Sequence, residues 1–394
     1  MEHFSPVEYV KIAVANAFGQ DKLTWQSRLA WFDAMNTTGR LDPAEAESPA
    51  QAYAALMAYK HHVTETPSGF LMSLDATASG LQILSCLTRD TIAAGLCNVV
   101  DAGMRMNAYE AIYNQFCQAG PQGLSNPAAV KQAVMTSLYG SIATPKRLFG
   151  EVGYAAFVET MKTKAPLVWE LNEALLSLWD PTAIKHSWTL PDGFNVDIDV
   201  LITQYERVKF LGVEQLVPTE VIGPKKRGRS LCANMVHSID GMIIREITQR
   251  ANMPQAKFVK LLEVLSDPDK HAQAQEARPA VSRLWALYKS SGYLSSTILA
   301  HLTPENCGLV GAEEIIRLIQ SLPTPYSVLS VHDCFRVSPY HAGRVRQEYN
   351  YQLRAIARSN LLEHILEGML GTRYTLTKGT LNPEEILSTN YALS

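Results

Sequence analysis

No two of the six cysteines, at positions 86, 97, 117, 232, 307 and 334, form a CxxC pair. That excludes a zinc framework built on such pairs and leaves scattered buried thiols, the pattern of a reducing compartment. No apolar run reaches the length of a membrane span. The opening MEHFSPVEYV carries acids and lacks a long apolar segment, so it does not read as a secretory leader. Charge of one sign is also missing: 35 Lys and Arg stand against 38 Asp and Glu, a net charge of −3. Any nucleic-acid surface must therefore be a local patch and not the whole molecule. What is present is an ordinary globular composition, 47% hydrophobic and 19% charged over 394 residues, enough for a large core and two or three lobes. A soluble intracellular protein is the expectation.

Helical periodicity covers residues 6–35 and 48–62, with TTGRLDPAEAESP as a loop between them. GFLMSLDATASG then reads as a short apolar strand, an acidic turn and the start of a helix, and residues 79–118 are mostly helical. GLSNPAAVKQAVMTSLYG predicts a helix with Asn126 as N-cap and Pro127 at its first position. Residues 151–180 are helical again. From WTLPDGFNV to LVPTEVIG the pattern turns to β, and the basic loop GPKKRGRS follows. Residues 233–321 are mainly helical, YSVLSVHDCFRVSP predicts a hairpin, and residues 341–370 return to helix. The fold class is α+β, with strands clustered around two acid-bearing turns.

Those two turns and one helix carry the chemistry. Asp75 follows the apolar run Phe70–Leu74, and by itself it reads equally well as a helix cap. Asp333 sits at the tip of an apolar hairpin that lacks the usual Asn-Gly or Asp-Gly turn. Two carboxylates held on adjacent strands repel unless a cation lies between them. Divalent metal relieves that repulsion and supplies the chemistry of phosphoryl and nucleotidyl transfer. On the helix from Pro127 to Tyr139, Lys131, Met135 and Tyr139 recur every four residues and so share a face. Eight helical residues cover about 12 Å, enough to run from the phosphates of a nucleotide to its sugar. Alone, this helix also reads as an amphipathic core helix with a snorkelling lysine.

In this order the three stretches resemble motifs A (DATASGLQ), B (KQAVMTSLYGS) and C (VHDCF) of the single-subunit phage and mitochondrial RNA polymerases. VANAFGQDK resembles the family's segment ending in a triphosphate-proximal lysine, here Lys22, and NAYEAIY resembles the tyrosine-bearing segment that places Tyr109. NMVHSIDG resembles the His-Ser-x-Asp-Gly block and places His237, while LPDGFNV to VEQLVPT resembles the promoter-reading hairpin and ILSTNYALS the C-terminal foot. The resemblance implies a right-hand polymerase fold of palm and fingers. Residues 1–98 would form the first part of the palm, 99–236 the fingers with motif B and the hairpin region, and 237–394 the second part of the palm. It implies Asp75 and Asp333 as catalytic acids binding two Mg2+ ions, with the Ala76 carbonyl as a further ligand. Lys131 would contact the α-phosphate, Tyr139 beside Gly140 would discriminate the ribose, and His237 would help to sense the 2′-hydroxyl. The implied activity is RNA synthesis from nucleoside triphosphates on a DNA template, in the cytoplasm of an infected bacterium.

Departures from the family pattern shape the remaining expectations. Pro127 stands where the family has an arginine one turn before the motif B lysine, so triphosphate contact must come from elsewhere, with Lys22 and Arg105 as candidates. Gln215 occupies the hairpin position of a base-reading arginine, so duplex promoter reading by this chain is not expected. Lys225, Lys226, Arg227 and Arg229 read either as a solvated loop or as a contact to nucleic-acid phosphate. Residues from about 250 to 322 look like a helical insertion. Only 21 residues precede Lys22, where the family's N-terminal domain, thumb and Asp-x-x-Gly-Arg motif would stand. This layout is most similar to the larger subunit of the heterodimeric RNA polymerases of Enquatrovirus-type phages. It implies a second polymerase subunit that supplies the missing parts, with room for a single-stranded-DNA-binding or promoter-activating factor. Two alternatives remain: a template-dependent DNA polymerase or primase, and a non-catalytic, polymerase-fold nucleic-acid-binding subunit. Met135 and Cys334 stand where the related DNA polymerases carry Phe and Glu, and retention of Asp75, Asp333 and Lys131 argues against a scaffold.

Overall fold

Met72 and Leu74 bury one face of a four-residue strand, Met72–Asp75 (β1), and leave Ser73 and Asp75 on the other. That strand forms one edge of the central sheet in the computed structural model, which describes residues 1–119, 126–228 and 230–394. The remaining strands of this sheet come from far along the chain: Val328–Val331 (β6) and Cys334–Val337 (β7), in the order β1-β7-β6 and antiparallel throughout. The protein is mixed α+β and mostly helical, with the other four strands in two separate hairpins.

The first helices, Pro6–Ala17 (α1), Trp25–Thr37 (α2) and Pro49–Val63 (α3), pack against one another beside β1. Ser5 and Glu8 close a reciprocal capping box on α1, and Thr24 caps α2. Helix Ser79–Thr88 (α4) is buried at every position from Gly80 onward, so it runs through the middle of the main core. Its N-cap is Ala78, with no side-chain cap bond, so Asp75 does not serve as a helix cap. Asp90 caps Thr91–Leu96 (α5) through one oxygen, and its other oxygen accepts from the Leu167 and Val168 N–H groups. Those amides begin Pro166–Ser177 (α9), so one buried carboxylate satisfies two helix starts.

Between them lie Ala108–Ala119 (α6), Pro127–Leu138 (α7) and Ala143–Lys164 (α8). Asn126 accepts from the Ala128 and Ala129 N–H groups and Pro127 opens α7, as the sequence predicts. The helix ends at Tyr139, where Gly140 takes φ 83°.

Two hairpins follow, Lys185–Thr189 (β2) with Asn195–Asp199 (β3), and Leu201–Phe210 (β4) with Val213–Ile222 (β5). The second is a ribbon of ten-residue strands turned by Leu211 and Gly212, both at positive φ. Then comes Ser230–Ala251 (α10), which packs on α4 and on Ala342–Arg358 (α15). Residues between Phe258 and Leu322 gather around a second hydrophobic core of their own. Two buried side chains of α10 fasten that unit. Glu246 accepts from Ser295 and from the Ser296 amide and hydroxyl, while Arg250 pairs with Glu348 at 2.6 Å and donates to the Ser321 carbonyl.

Residues 389–394 return to the start of the chain. Tyr391 stacks on Trp25 with ring centroids 5.6 Å apart, and buried Arg346 donates to the Asn390 carbonyl and the Tyr9 hydroxyl. Gln82 on α4 donates to the Ala392 carbonyl and to Thr77 Oγ1. Ala76 bridges Leu393 in antiparallel fashion, extending the ladder beyond β1.

Candidate active site

The β1–β7 register sets Asp75 opposite Cys334, immediately beside the hairpin turn His332-Asp333. His332 takes φ 53°, the left-handed conformation a two-residue turn demands where glycine is usual. The Ala76 amide donates to the Asp333 carbonyl at 3.2 Å, so the two acid-bearing turns are joined directly. On its other side Asp75 exchanges backbone hydrogen bonds with Ser394, at 3.2 and 2.9 Å. The structure thus brings Asp75, Ala76 and Asp333 together on a braced backbone.

The Asp75 side chain opens to solvent, yet its carboxyl is held above the ordinary aspartate range. Desolvation by the surrounding protein is the main cause and the Asp333 charge adds to it, while a hydrogen bond from Cys334 and the charge of Arg336 act in the opposite sense. The Cys334 thiol is pushed up to about 11 by burial and by this contact with Asp75, so it stays a donor. Carboxylate and backbone carbonyl oxygens are the donors magnesium uses, and Asp75, Asp333 and Ala76 are the residues that could supply them here. Among the described residues no group of three or more His, Cys, Asp or Glu side chains is arranged to hold a metal ion.

Facing this pair is the exposed side of α7. Val130, Ala133, Val134, Ser137 and Leu138 are buried, while Lys131 and Met135 are exposed and Tyr139 is half-buried. Lys131, Met135 and Tyr139 line one cavity of about 260 Å³ together with Thr77, Gly80 and Asp333. The lysine, the aromatic ring and one carboxylate therefore share a single space. The Leu138 carbonyl accepts from Cys232 Sγ on α10, which fixes the end of α7 against that helix. His237, further along α10, packs its ring 5.0 Å from that of Tyr139. Burial raises the Tyr139 phenol above its usual range, with Asp240 and Asp333 adding to the effect, so the hydroxyl keeps its proton. Tyr109 is pushed up to about 12, chiefly by burial, and Lys131 Nζ lies 5.4 Å from its ring centroid. Gly80 lies beneath the Tyr139 hydroxyl: a Cβ there would stand 3.1 Å from that oxygen.

A second cavity, of about 520 Å³, adjoins the first and shares Thr77, Tyr109 and Lys131 with it. Lys22 and Arg105 line it as well. Lys22, Tyr109, Lys131 and Tyr139 thus border one trough with Ala76 and Asp333, and His237 stands behind Tyr139. Asp75 lines an adjoining cavity that shares Ala76, Thr77 and Arg105 with these two, while Gly140 is buried at the end of α7 and lines neither of them.

The remaining predicted residues lie elsewhere. Gln215 is exposed on the β4–β5 ribbon, opposite Val208. Lys225, Lys226 and Arg227 are exposed in the following loop, where Trp179 Nε1 donates to the Lys225 carbonyl. Arg229 lies outside the described residues. Asp240 was not singled out from the sequence, although it stands one turn after His237. Burial and the Asp333 charge raise its carboxyl to about 6, with His332 acting in the opposite sense. The HSIDG block displays this acid, but only the tertiary fold shows that it faces the motif C turn.

Comparison with known proteins is consistent with this geometry. Residues 5–148 match the family model of DNA-dependent RNA polymerase. The match covers the first part of the chain and leaves the rest outside it. It includes Lys22, Asp75, Arg105, Tyr109, Lys131 and Tyr139, and ends before His237 and Asp333. The chain is also similar to the DNA-directed RNA polymerase of Pseudomonas phage phiKMV, 35% identical over 114 residues. The similarity covers 24% of this chain and 14% of that protein. No helix of the described residues is long and apolar enough to cross a membrane.

Proposed function

We propose that this chain is the catalytic subunit of a phage DNA-dependent RNA polymerase and adds nucleotides to RNA on a DNA template. The observation that carries the reading is the joining of the end of β1, at Asp75, to the hairpin turn of Asp333, which itself lines a cavity with Lys131 and Tyr139. In this reading residues 1–98 and 237–394 form the palm, and residues 99–236 form fingers that carry α7 and the β4–β5 ribbon. Asp75, Asp333 and the Ala76 carbonyl would hold two magnesium ions, which lower the pKa of the attacking hydroxyl and stabilise the leaving pyrophosphate when bound.

The chain's own residues then divide the work of binding. Lys131 neutralises the α-phosphate and Lys22 lies further along the triphosphate. Tyr139 presents a protonated hydroxyl toward the sugar, and His237 packs behind it and helps to sense the 2′-hydroxyl. A second polymerase subunit supplying the N-terminal domain and thumb belongs to the same proposal. Exposed Val63 and Tyr340, near a groove of about 540 Å³ lined by Val10, Phe70 and Pro339, are the apolar surface such a subunit needs.

Primer–template extension tests the catalytic assignment. Asp75→Asn and Asp333→Asn should each reduce nucleotide addition by about a thousandfold or more, the scale of several kcal/mol of lost metal-assisted stabilisation. Template binding should survive. Near-normal extension by either variant in saturating magnesium would overturn the two-metal reading, and preferential use of deoxyribonucleotides would overturn RNA synthesis.

A further inference from the structure

The 520 Å³ cavity holds three cations whose circumstances differ. Lys22 and Lys131 are exposed at its rim. Arg105 is half-buried in its wall, and Nε donates to Ser394 Oγ at 3.2 Å. Arg105 forms no ion pair among the described residues; Asp21, the acid nearest in effect, lines the same cavity without closing on it. Its terminal N–H groups have no protein acceptor in that set. Across the cavity, the start of α7 offers only Pro127 and Ala128, which carry no charge. A guanidinium withdrawn from water without a carboxylate is costly unless an anion completes it.

Arg28 clarifies the arrangement by contrast. It is fully buried and donates to the Leu23 carbonyl, to Asn16 Oδ1, to the Asp21 carbonyl and, at 2.6 Å, to Ser394 Oγ. Its donors are committed to protein. The Ser394 hydroxyl accepts from both arginines, which occupies the two acceptor positions such an oxygen has. Ser394 is itself fixed by its backbone exchange with Asp75. A continuous path therefore runs from the Asp75 backbone through Ser394 to the Arg105 side chain.

We infer that Arg105 is a polyphosphate-binding residue of this trough and that Ser394, clamped by Arg28 and Asp75, is its positioning residue. The inference rests on the nucleotide-binding reading given above. Its ligand is the β/γ end of a nucleoside triphosphate. Lys131 and Thr77 border both cavities, so a chain of phosphates entering beside Lys131 extends toward Arg105 and Lys22.

The test uses the full chain and inorganic tripolyphosphate, titrated calorimetrically without metal or template. Arg105→Ala should weaken binding by about tenfold or more, the range of one charged hydrogen-bonding group. Arg105→Lys should fall between the two, because it keeps the charge and loses the planar fork. Ser394→Ala leaves every cation in place and should still weaken binding several-fold while the melting temperature stays near that of the wild type. In nucleotide addition, all three should raise KM for the triphosphate much more than they lower kcat. Wild-type tripolyphosphate affinity in Arg105→Ala would overturn the site, and wild-type affinity and KM in Ser394→Ala would overturn the positioning role. A chain that binds tripolyphosphate through Arg105 yet adds no nucleotide would keep this site and sink the polymerase reading instead.

Discussion

A single hydrogen atom on residue 80 decides how closely Tyr139 can approach α4. Gly80→Ala would place a methyl group 3.1 Å from the tyrosine hydroxyl, tighter than ordinary contact. In a helix this substitution normally favours stability, by up to about 1 kcal/mol. A variant that folds well but loses preference for ribonucleotides would therefore isolate the Tyr139 contact. Tyr139→Phe should shift the ratio of ribo- to deoxyribonucleotide incorporation in the same direction, because the polar contact is lost and the ring remains. An unchanged ratio would return Tyr139 to a packing role.

Asp240 makes a different prediction at the same scale. Its carboxyl, raised to about 6 in the folded state, sits above the 3.8 of an ordinary aspartate, so the folded state keeps this proton longer. Its contribution to stability therefore declines as pH rises from about 4 to about 6 and is level above that. Asp240→Asn should stabilise magnesium-free protein at pH 8 by at most about 3 kcal/mol relative to its effect at pH 4. Thermal melts across this range are the check; equal shifts at both ends would exclude the titration. Asp75 and Asp333 were legible in the sequence because each interrupts an apolar run. Asp240 was not, because its closeness to Asp333 comes from packing α10 against a strand some ninety residues later.

Among the elements, α7 and the β6–β7 hairpin follow directly from local signals. Asn126-Pro127 starts one, and apolar runs on both sides of His332-Asp333 define the other. The single helical stretch expected over 6–35 is two helices: Gly19-Gln20-Asp21-Lys22 interrupts the apolar pattern, Gly19 takes φ 81°, and Thr24 caps the second helix. The β segment was legible as β, but its division into two unconnected hairpins was not, because pairing depends on register and not on composition. Helix α10 makes the strongest prediction at this scale. Arg250 and Glu348 are a buried pair, and Arg250 also holds the Ser321 carbonyl at the far end of the second core. Glu348→Gln would leave the guanidinium without its charge partner and should cost about 3–5 kcal/mol. Hydrogen exchange should show the loss both around α15 and in residues 258–322. A loss confined to α15 would mean that the second core does not depend on this pair.

For the whole molecule, the N-terminal helices, the central sheet and residues 389–394 form one packed body around α4. Tyr391 is buried and stacks on Trp25, whose ring also carries the Arg28 and Arg346 guanidiniums, so Tyr391→Ala should destabilise the protein by about 3 kcal/mol. Nucleotide addition should fall with it, because Ser394 is held three residues away. A stable, fully active variant would show that the tail is ornamental to the site.

Time of synthesis gives the pairing of Asp75 with Ser394 another meaning. Strand β1 is made early, yet its neighbour β7 and the tail that braces its other side arrive more than 250 residues later. Until residues 392–394 have emerged, Gln82 lacks the Ala392 acceptor, Arg105 lacks its anchor, and Asp75 stands on an unfinished edge. Contacts across such separations form late in folding. A growing chain would thus carry Asp75 without its Asp333 and Ser394 neighbours until both of those distant segments have been made.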